Sequence, residues 1–281
     1  MKVILLGLTG LGNAVLKGLL NSDRVKVNSV YTKKYEHPYP YYDEIQIETL
    51  CRQNNIKCYL DKKLNSKDVL DRIKQEQPDL IIASSFDQIL SKQLIDIPKL
   101  GIINLHPSLL PKYRGPYPDQ AVLLNGETKT GVTVHFLTEN LDSGNIILQK
   151  DLYISSDDNY SSLKRKIAVL SGEIIPEVLN LFAEGHKPEG LIQNEKESSY
   201  FPKPKAEDAY LESETSIVTI KNKMRALNPF PGTSILIGGK RIRVNKFELL
   251  KTLDSNNGLT DSETFVDVRL NSCGIRLFKK N

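Results

Sequence analysis

The chain has 281 residues, a net charge of +4 and a pI near 8.7, and its charges are interspersed, without the concentrated basic stripe of a dedicated nucleic-acid binder. Three cysteines (Cys51, Cys58, Cys273), odd in number and without metal-type spacing, argue against a disulfide framework or a cysteine metal site. The apolar start Met1–Gly7 is too short for a signal peptide, and no run approaches the ~20 apolar residues of a membrane span, so a cytoplasmic protein with neither nucleic-acid nor membrane partner is expected.

In chain order, Lys2–Leu6, Val25–Tyr31, Ile56–Tyr59, Leu80–Ala83 and Gly101–His106 read as buried strands. Between them Leu11–Leu20, Tyr42–Gln53 and Ser66–Gln75 carry apolar residues at helical spacing. The alternation predicts an α/β fold with a doubly wound, mostly parallel Rossmann-like sheet, whose ligands sit beyond the strand carboxyl ends. A helix over Tyr117–Asn125, β-rich stretches at Thr130–Phe136 and Asn145–Tyr153, and one long helix over Tyr160–Ala183 complete the larger domain, set at residues 1–200. Residues 201–281 read as a proline-bearing linker, a helix over Ser216–Arg225 and a small β-rich domain; Gly238-Gly239 between Thr233–Ile237 and Lys240–Val244 signals a two-residue hairpin. Thr264–Leu270 and Gly274–Phe278 add two strands, and an apolar β tail of this kind is compatible with a homodimer.

The turn Gly7-Leu8-Thr9-Gly10-Leu11-Gly12 lacks the G-x-G-x-x-G spacing, and no acidic residue follows the second strand to hold a ribose, so nicotinamide binding is not expected. Such a turn still offers N–H groups and the Thr9 hydroxyl to a substrate. The informative run is Asn104 to Pro116. Asn104 and His106 are two apart in a strand, hence on one face, and Pro107 ends the strand just after them. A carboxamide can donate to an oxyanion, and an imidazole can take a proton from an attacking amine, which together suit acyl transfer. A carboxylate at Asp142, on the glycine-flanked loop after Thr130–Phe136, can orient that imidazole. His135 alternates into the strand among apolar neighbours and reads as structural.

The run Asn104–Gly115 together with Thr130–Gly144 resembles the signature of the 10-formyltetrahydrofolate-dependent formyltransferases, which include glycinamide ribonucleotide, methionyl-tRNA and sugar-nucleotide N-formyltransferases. The resemblance implies catalytic roles for Asn104, His106 and Asp142. It implies a pterin pocket on Phe86, Gln88, Ile89 and Leu90 of the loop after the fourth strand, and on Leu137, Glu139, Asn140 and Asp142. Phe86-Asp87-Gln88 stands where many members have an aromatic-glycine pair. The co-substrate implied is 10-formyltetrahydrofolate, with no metal. Thr9, Ser108, Lys112, Tyr113 and Arg114 are the substrate-side candidates, the last three as diphosphate or sugar contacts.

Three amines compete as acceptor. Glycinamide ribonucleotide enzymes normally stop near the end of the larger domain, whereas Asn228-Pro229-Phe230-Pro231-Gly232 resembles the junction into the C-terminal domain of the tRNA and sugar enzymes. The loop from Lys33 to Asp43 is aromatic and nearly neutral, unlike the basic loop of tRNA enzymes, and its tyrosines (Tyr35, Tyr39, Tyr41, Tyr42) can stack on a base. A nucleotide-linked amino-deoxy sugar is the expected acceptor and methionyl-tRNA the alternative. A folate hydrolase or an inactive binding module would instead show formyl loss without an amine, or no turnover.

Overall fold

The computed structural model describes residues 1–33, 45–60, 63–212, 214–250, 260–270 and 273–280. The chain divides into two compact units, one of residues 1–118, 128–155 and 161–201, the other of 119–127, 156–160 and 202–281.

The first unit carries a seven-stranded sheet. Its elements begin with β1 (Lys2–Gly7), α1 (Leu11–Leu20), β2 (Lys26–Tyr31), α2 (Ile47–Gln53), β3 (Lys57–Tyr59), α3 (Lys67–Glu76), β4 (Leu80–Ser84), α4 (Lys92–Ile95) and β5 (Ile102–His106). After α5 (Pro118–Leu124), whose body falls in the other unit, come β6 (Lys129–Phe136), β7 (Ile146–Tyr153), α6 (Tyr160–Glu173) and α7 (Ile175–Leu181). The strand order is β3-β2-β1-β4-β5-β6-β7. β1 to β5 run parallel, and β6 and β7 add an antiparallel edge. In β1 the residues from Val3 to Gly7 are all buried, the near-continuous apolar run expected of a strand covered on both faces. The expected doubly wound, mostly parallel sheet is therefore what the chain forms.

The long helix expected over Tyr160–Ala183 is instead two. Pro176, at the start of α7, has no N–H to return to the preceding turn, and its ring crowds the carbonyl four residues earlier. The register between β5 and β6 matters most for function: Asn104 pairs with His135 and His106 with Thr133. Directly opposed residues in an antiparallel pair share a face, so this register brings two side chains separated by 31 residues together.

The second unit holds β8 (Tyr210–Leu211), α8 (Ile217–Leu227), β9 (Ser234–Ile237), β10 (Lys240–Leu250), β11 (Thr260–Asp261), β12 (Phe265–Leu270) and β13 (Cys273–Lys279). Its six strands run in the order β11-β12-β13-β10-β9-β8 over a core that includes Ile220, Met224, Val244, Val266 and Leu277. Gly238 and Gly239 both take positive φ (53° and 78°), so the β9–β10 turn is the tight hairpin their sequence predicts. Among the described residues no helix is long and apolar enough to cross a membrane.

Candidate active site

Asn104 and His106 lie on the sheet face that also carries Ile102, and His106 is only 3% exposed. His106 Nε2 donates to the Tyr113 carbonyl at 2.9 Å; a carbonyl only accepts, so the hydrogen of the neutral ring sits there and Nδ1 is left to take a proton. That Nδ1 faces Asp142 Oδ1 at 3.6 Å, longer than a direct hydrogen bond. The other carboxylate oxygen of Asp142 accepts the Gly115 N–H at 2.9 Å. Asp142 is 6% exposed and holds a left-handed backbone, φ 50°.

His135 is the fourth member, fully buried. Its Nδ1 donates to the Phe136 carbonyl at 2.9 Å, and burial pushes its pKa down to about 4, with the neighbouring His106 adding to the depression. The ring is therefore neutral near pH 7, and its Nε2 lone pair faces Asn104 Nδ2 at 3.3 Å. That contact decides the orientation of the Asn104 amide: the NH2 group turns toward His135, which engages one N–H and leaves the second. His135 thus does more than fill the core. Alternation predicted its burial; its hydrogen bond follows from the strand register, which no local pattern encodes. His106, His135 and Asp142 also offer one metal-ligand atom each, all within 4.8 Å of one another.

Two loops hold this cluster, and both need glycine. Gly115 has φ 116°, and a Cβ there would lie 2.3 Å from the Phe201 carbonyl oxygen. At Gly144 a Cβ would lie 1.9 Å from the Phe136 carbonyl oxygen, so only glycine lets the loop fold back over the end of β6.

The substrate-side residues divide. Thr9 is 4% exposed; its hydroxyl donates to Gln46 Oε1 at 3.1 Å and accepts the Ile47 N–H at 3.2 Å, closing the start of α2 rather than facing a ligand. Ser108 is fully buried and donates to the Lys112 carbonyl at 2.9 Å. Arg114 grips Gln193 Oε1 (2.7 Å from Nη2) and forms a bidentate pair with Glu195, so its guanidinium is directed at its own chain rather than at a diphosphate. Tyr113 is buried and stacked on Phe201, ring centroids 4.9 Å apart; Lys112 alone of the five is exposed.

On the pterin side, Phe86, Leu90 and Leu137 all pack against one apolar cluster that includes Ala83, Leu94 and Ile102, which joins the two loops predicted to form the pocket. Ile89 is 83% exposed, and Glu139 and Asn140 are exposed. Gln88 Oε1 accepts the Leu64 N–H at 3.0 Å, while its Nε2 is buried without a partner among the described residues. The left-handed residue of this loop is Ser85 (φ 53°), so Asp87 needs no glycine-like freedom, and Asp87 pairs with Lys33 instead. The tyrosine loop, Tyr35 to Tyr42, lies outside the described residues.

Among the described residues, an amide with an N–H not engaged by His135, an imidazole whose Nδ1 makes no direct hydrogen bond and a buried carboxylate are brought together on a doubly wound sheet, and these are the groups that acyl transfer calls for. The chain belongs to the formyl transferase family: the family's "Formyl transferase" model matches residues 1–179 and its C-terminal domain model matches residues 203–274. It is similar to the methionyl-tRNA formyltransferase of Clostridioides difficile (strain 630), 36% identical over 222 residues, covering 79% of this chain and 70% of that one. The corresponding enzyme of Ehrlichia ruminantium (strain Gardel) is 33% identical over 249 residues, 87% of this chain and 79% of that one. For several other curated relatives the aligned part is under two thirds of their length, 56% for the Syntrophus aciditrophicus (strain SB) enzyme. In fold the chain is similar to WlaRD, a sugar 3N-formyl transferase solved with dTDP and 5-N-formyl-THF, with a TM-score of 0.71, 22% identity and coverage of 100% and 98% of the two chains. An N-formyltransferase from Helicobacter canadensis, solved with folinic acid and dTDP-3-aminofucose, gives a TM-score of 0.70 at 20% identity, covering 100% of both chains.

Proposed function

We propose that the protein moves a formyl group from 10-formyltetrahydrofolate to the amino group of a nucleotide-linked amino-deoxy sugar, such as a 4-amino-4,6-dideoxyhexose. The observation that carries formyl transfer is one connected buried cluster in a chain of this family: Asp142 Oδ1 faces both His106 and His135, at 3.6 and 3.7 Å, and His135 holds the Asn104 amide. In this reading the neutral amine attacks the formyl carbon, and the second N–H of Asn104 donates to the oxygen that gains charge. His106 Nδ1 takes the proton released by the amine nitrogen, and Asp142 faces the imidazolium that results. As the tetrahedral centre collapses, the proton returns from His106 to the departing folate nitrogen, so no net proton is gained or lost. The apolar platform of Phe86, Leu90 and Leu137, with the Gln88 Nε2 donor that has no partner among the described residues, suits a flat, hydrogen-bonding pterin. The reading assigns no metal: turnover by chelator-treated enzyme should equal that of untreated enzyme, and loss restored by a divalent ion would refute this part.

Support for the sugar acceptor comes from the two solved relatives, each of which aligns across the whole of this chain and was solved with a dTDP or dTDP-sugar ligand. The second reading, methionyl-tRNA as acceptor, is favoured by the higher sequence identity of the curated relatives. A panel of nucleotide-linked aminosugars assayed beside methionyl-charged and uncharged tRNA separates the two. The sugar reading expects formylated sugar nucleotide; formylation confined to charged tRNA would overturn it.

A further inference from the structure

Gln193 lies in an irregular segment far along the chain from the catalytic residues, yet it is 6% exposed and fully hydrogen-bonded. Its amide Nε2 donates to the carbonyls of both Asp142 and Gly144, each at 2.8 Å. Its Oε1 accepts from Arg114 Nε at 3.2 Å and Nη2 at 2.7 Å. Arg114 is in turn fixed by its pair with Glu195 and, through its backbone, by Ser199 and Phe201. The neighbours of Arg114 are the catalytic cluster's own anchors: the Tyr113 carbonyl holds His106 Nε2, and the Gly115 N–H holds Asp142 Oδ2. One buried amide thus ties the loop carrying Asp142 to the loop that anchors His106.

We propose that Gln193 is a positioning residue: its two N–H groups hold the left-handed backbone of Asp142, and Arg114 orients Gln193 for that task. The assignment rests on the proposed role of Asp142 as the carboxylate facing His106. A left-handed non-glycine residue is strained and persists only where its surroundings fix it. Two hydrogen bonds to the carbonyls of Asp142 and Gly144 supply that constraint, while the Gly115 N–H fixes the side chain. Without Gln193 the carbonyls lose their partners and the carboxylate drifts from the imidazole. The same geometry gives Arg114 a task on its own chain.

Two variants test this. Gln193→Leu removes the donors; Gln193→Glu keeps the size and the Arg114 contact yet offers the carbonyls no N–H, and so separates donation from shape. Both should lower kcat by ~10–100-fold, the usual scale for residues that orient a reacting group, with KM for either substrate changed less than about threefold. In a double-mutant cycle Gln193→Glu should cost little further once Asp142→Asn is present. A folded Gln193→Glu enzyme with kcat within about twofold of the parent, or effects that simply add, would overturn the proposal. A substrate-free measurement keeps the two readings separable: at fixed pH the ring-nitrogen NMR shifts of His106 in Gln193→Glu should move toward those of Asp142→Asn. Unchanged shifts would overturn the positioning role even if turnover proves formyl transfer. Shifted shifts in an enzyme that formylates no amine would leave Gln193 placed and the functional reading refuted.

Discussion

In the turn after β1, Thr9 is buried, and its hydroxyl both donates and accepts within the chain, joining Gln46 and the start of α2. In the turn after β5, Tyr113 to Gly115 present a carbonyl to His106 and an N–H to Asp142, while His106 Nδ1 faces Asp142 without a direct hydrogen bond and His135 engages only one N–H of Asn104. Both turns carry glycine, both follow a parallel strand, and both looked ligand-facing in the sequence. A lone hydroxyl beside the start of a helix is readily absorbed by an orphan N–H. A cluster whose members anchor one another through backbone groups keeps its reactive atoms free. The contrast teaches that residue type near a strand end is a weaker guide to chemistry than what the backbone already demands of that residue.

The largest effect is expected at Gly115. Gly115→Ala places a Cβ against the Phe201 carbonyl at a φ of 116°, and should cost on the order of 3 kcal/mol or more in stability, read by denaturant titration, together with most of the activity. A variant as stable as the parent would show that the loop relaxes freely. Next comes the neutral His135. Its pKa of about 4 lies below the ordinary histidine value of 6.5, so below pH 6.5 the unfolded chain gains a proton that the folded chain refuses. Its contribution to stability is fully present above pH 6.5, falls as pH drops toward 4, and then levels off; the loss is at most roughly 3 kcal/mol. His135→Gln, compared with the parent by chemical denaturation across that window, should lose this component. Identical pH curves would contradict the buried, neutral assignment. Thr9→Val should have the smallest effect, about 1 kcal/mol of stability from the lost contact at the start of α2 and no change in KM beyond about twofold. A large rise in KM for the amine substrate would restore Thr9 to the binding site.

Much of the first unit was legible because period and burial coincide. α1 spans the residues that its apolar spacing marks, and β1, β4 and β5 read as short apolar runs because both sheet faces are covered. The side-by-side placement of Asn104 and His106 follows from alternation alone. What stayed hidden was non-local. The Asn104–His135 contact depends on β5–β6 register, and the Gln193 contacts span 49 and 51 residues from a segment without regular structure. The break between α6 and α7 was visible as Pro176, but the apolar spacing on either side concealed it. The closed tasks of Thr9, Ser108 and Arg114 could not be read either, because a hydroxyl or guanidinium looks the same in sequence whether its partner is a ligand or the chain itself.

Transfer by the proposed mechanism depends most on the second N–H of Asn104 meeting an oxygen that gains charge only as the tetrahedral centre forms. Single-turnover formyl transfer by Asn104→Ala, with folding checked by circular dichroism and folate-analogue binding by calorimetry, measures this directly. A fall in the transfer rate of at least ~100-fold, about 3 kcal/mol, with folate binding retained, is the predicted result. A transfer rate near that of the parent would contradict it.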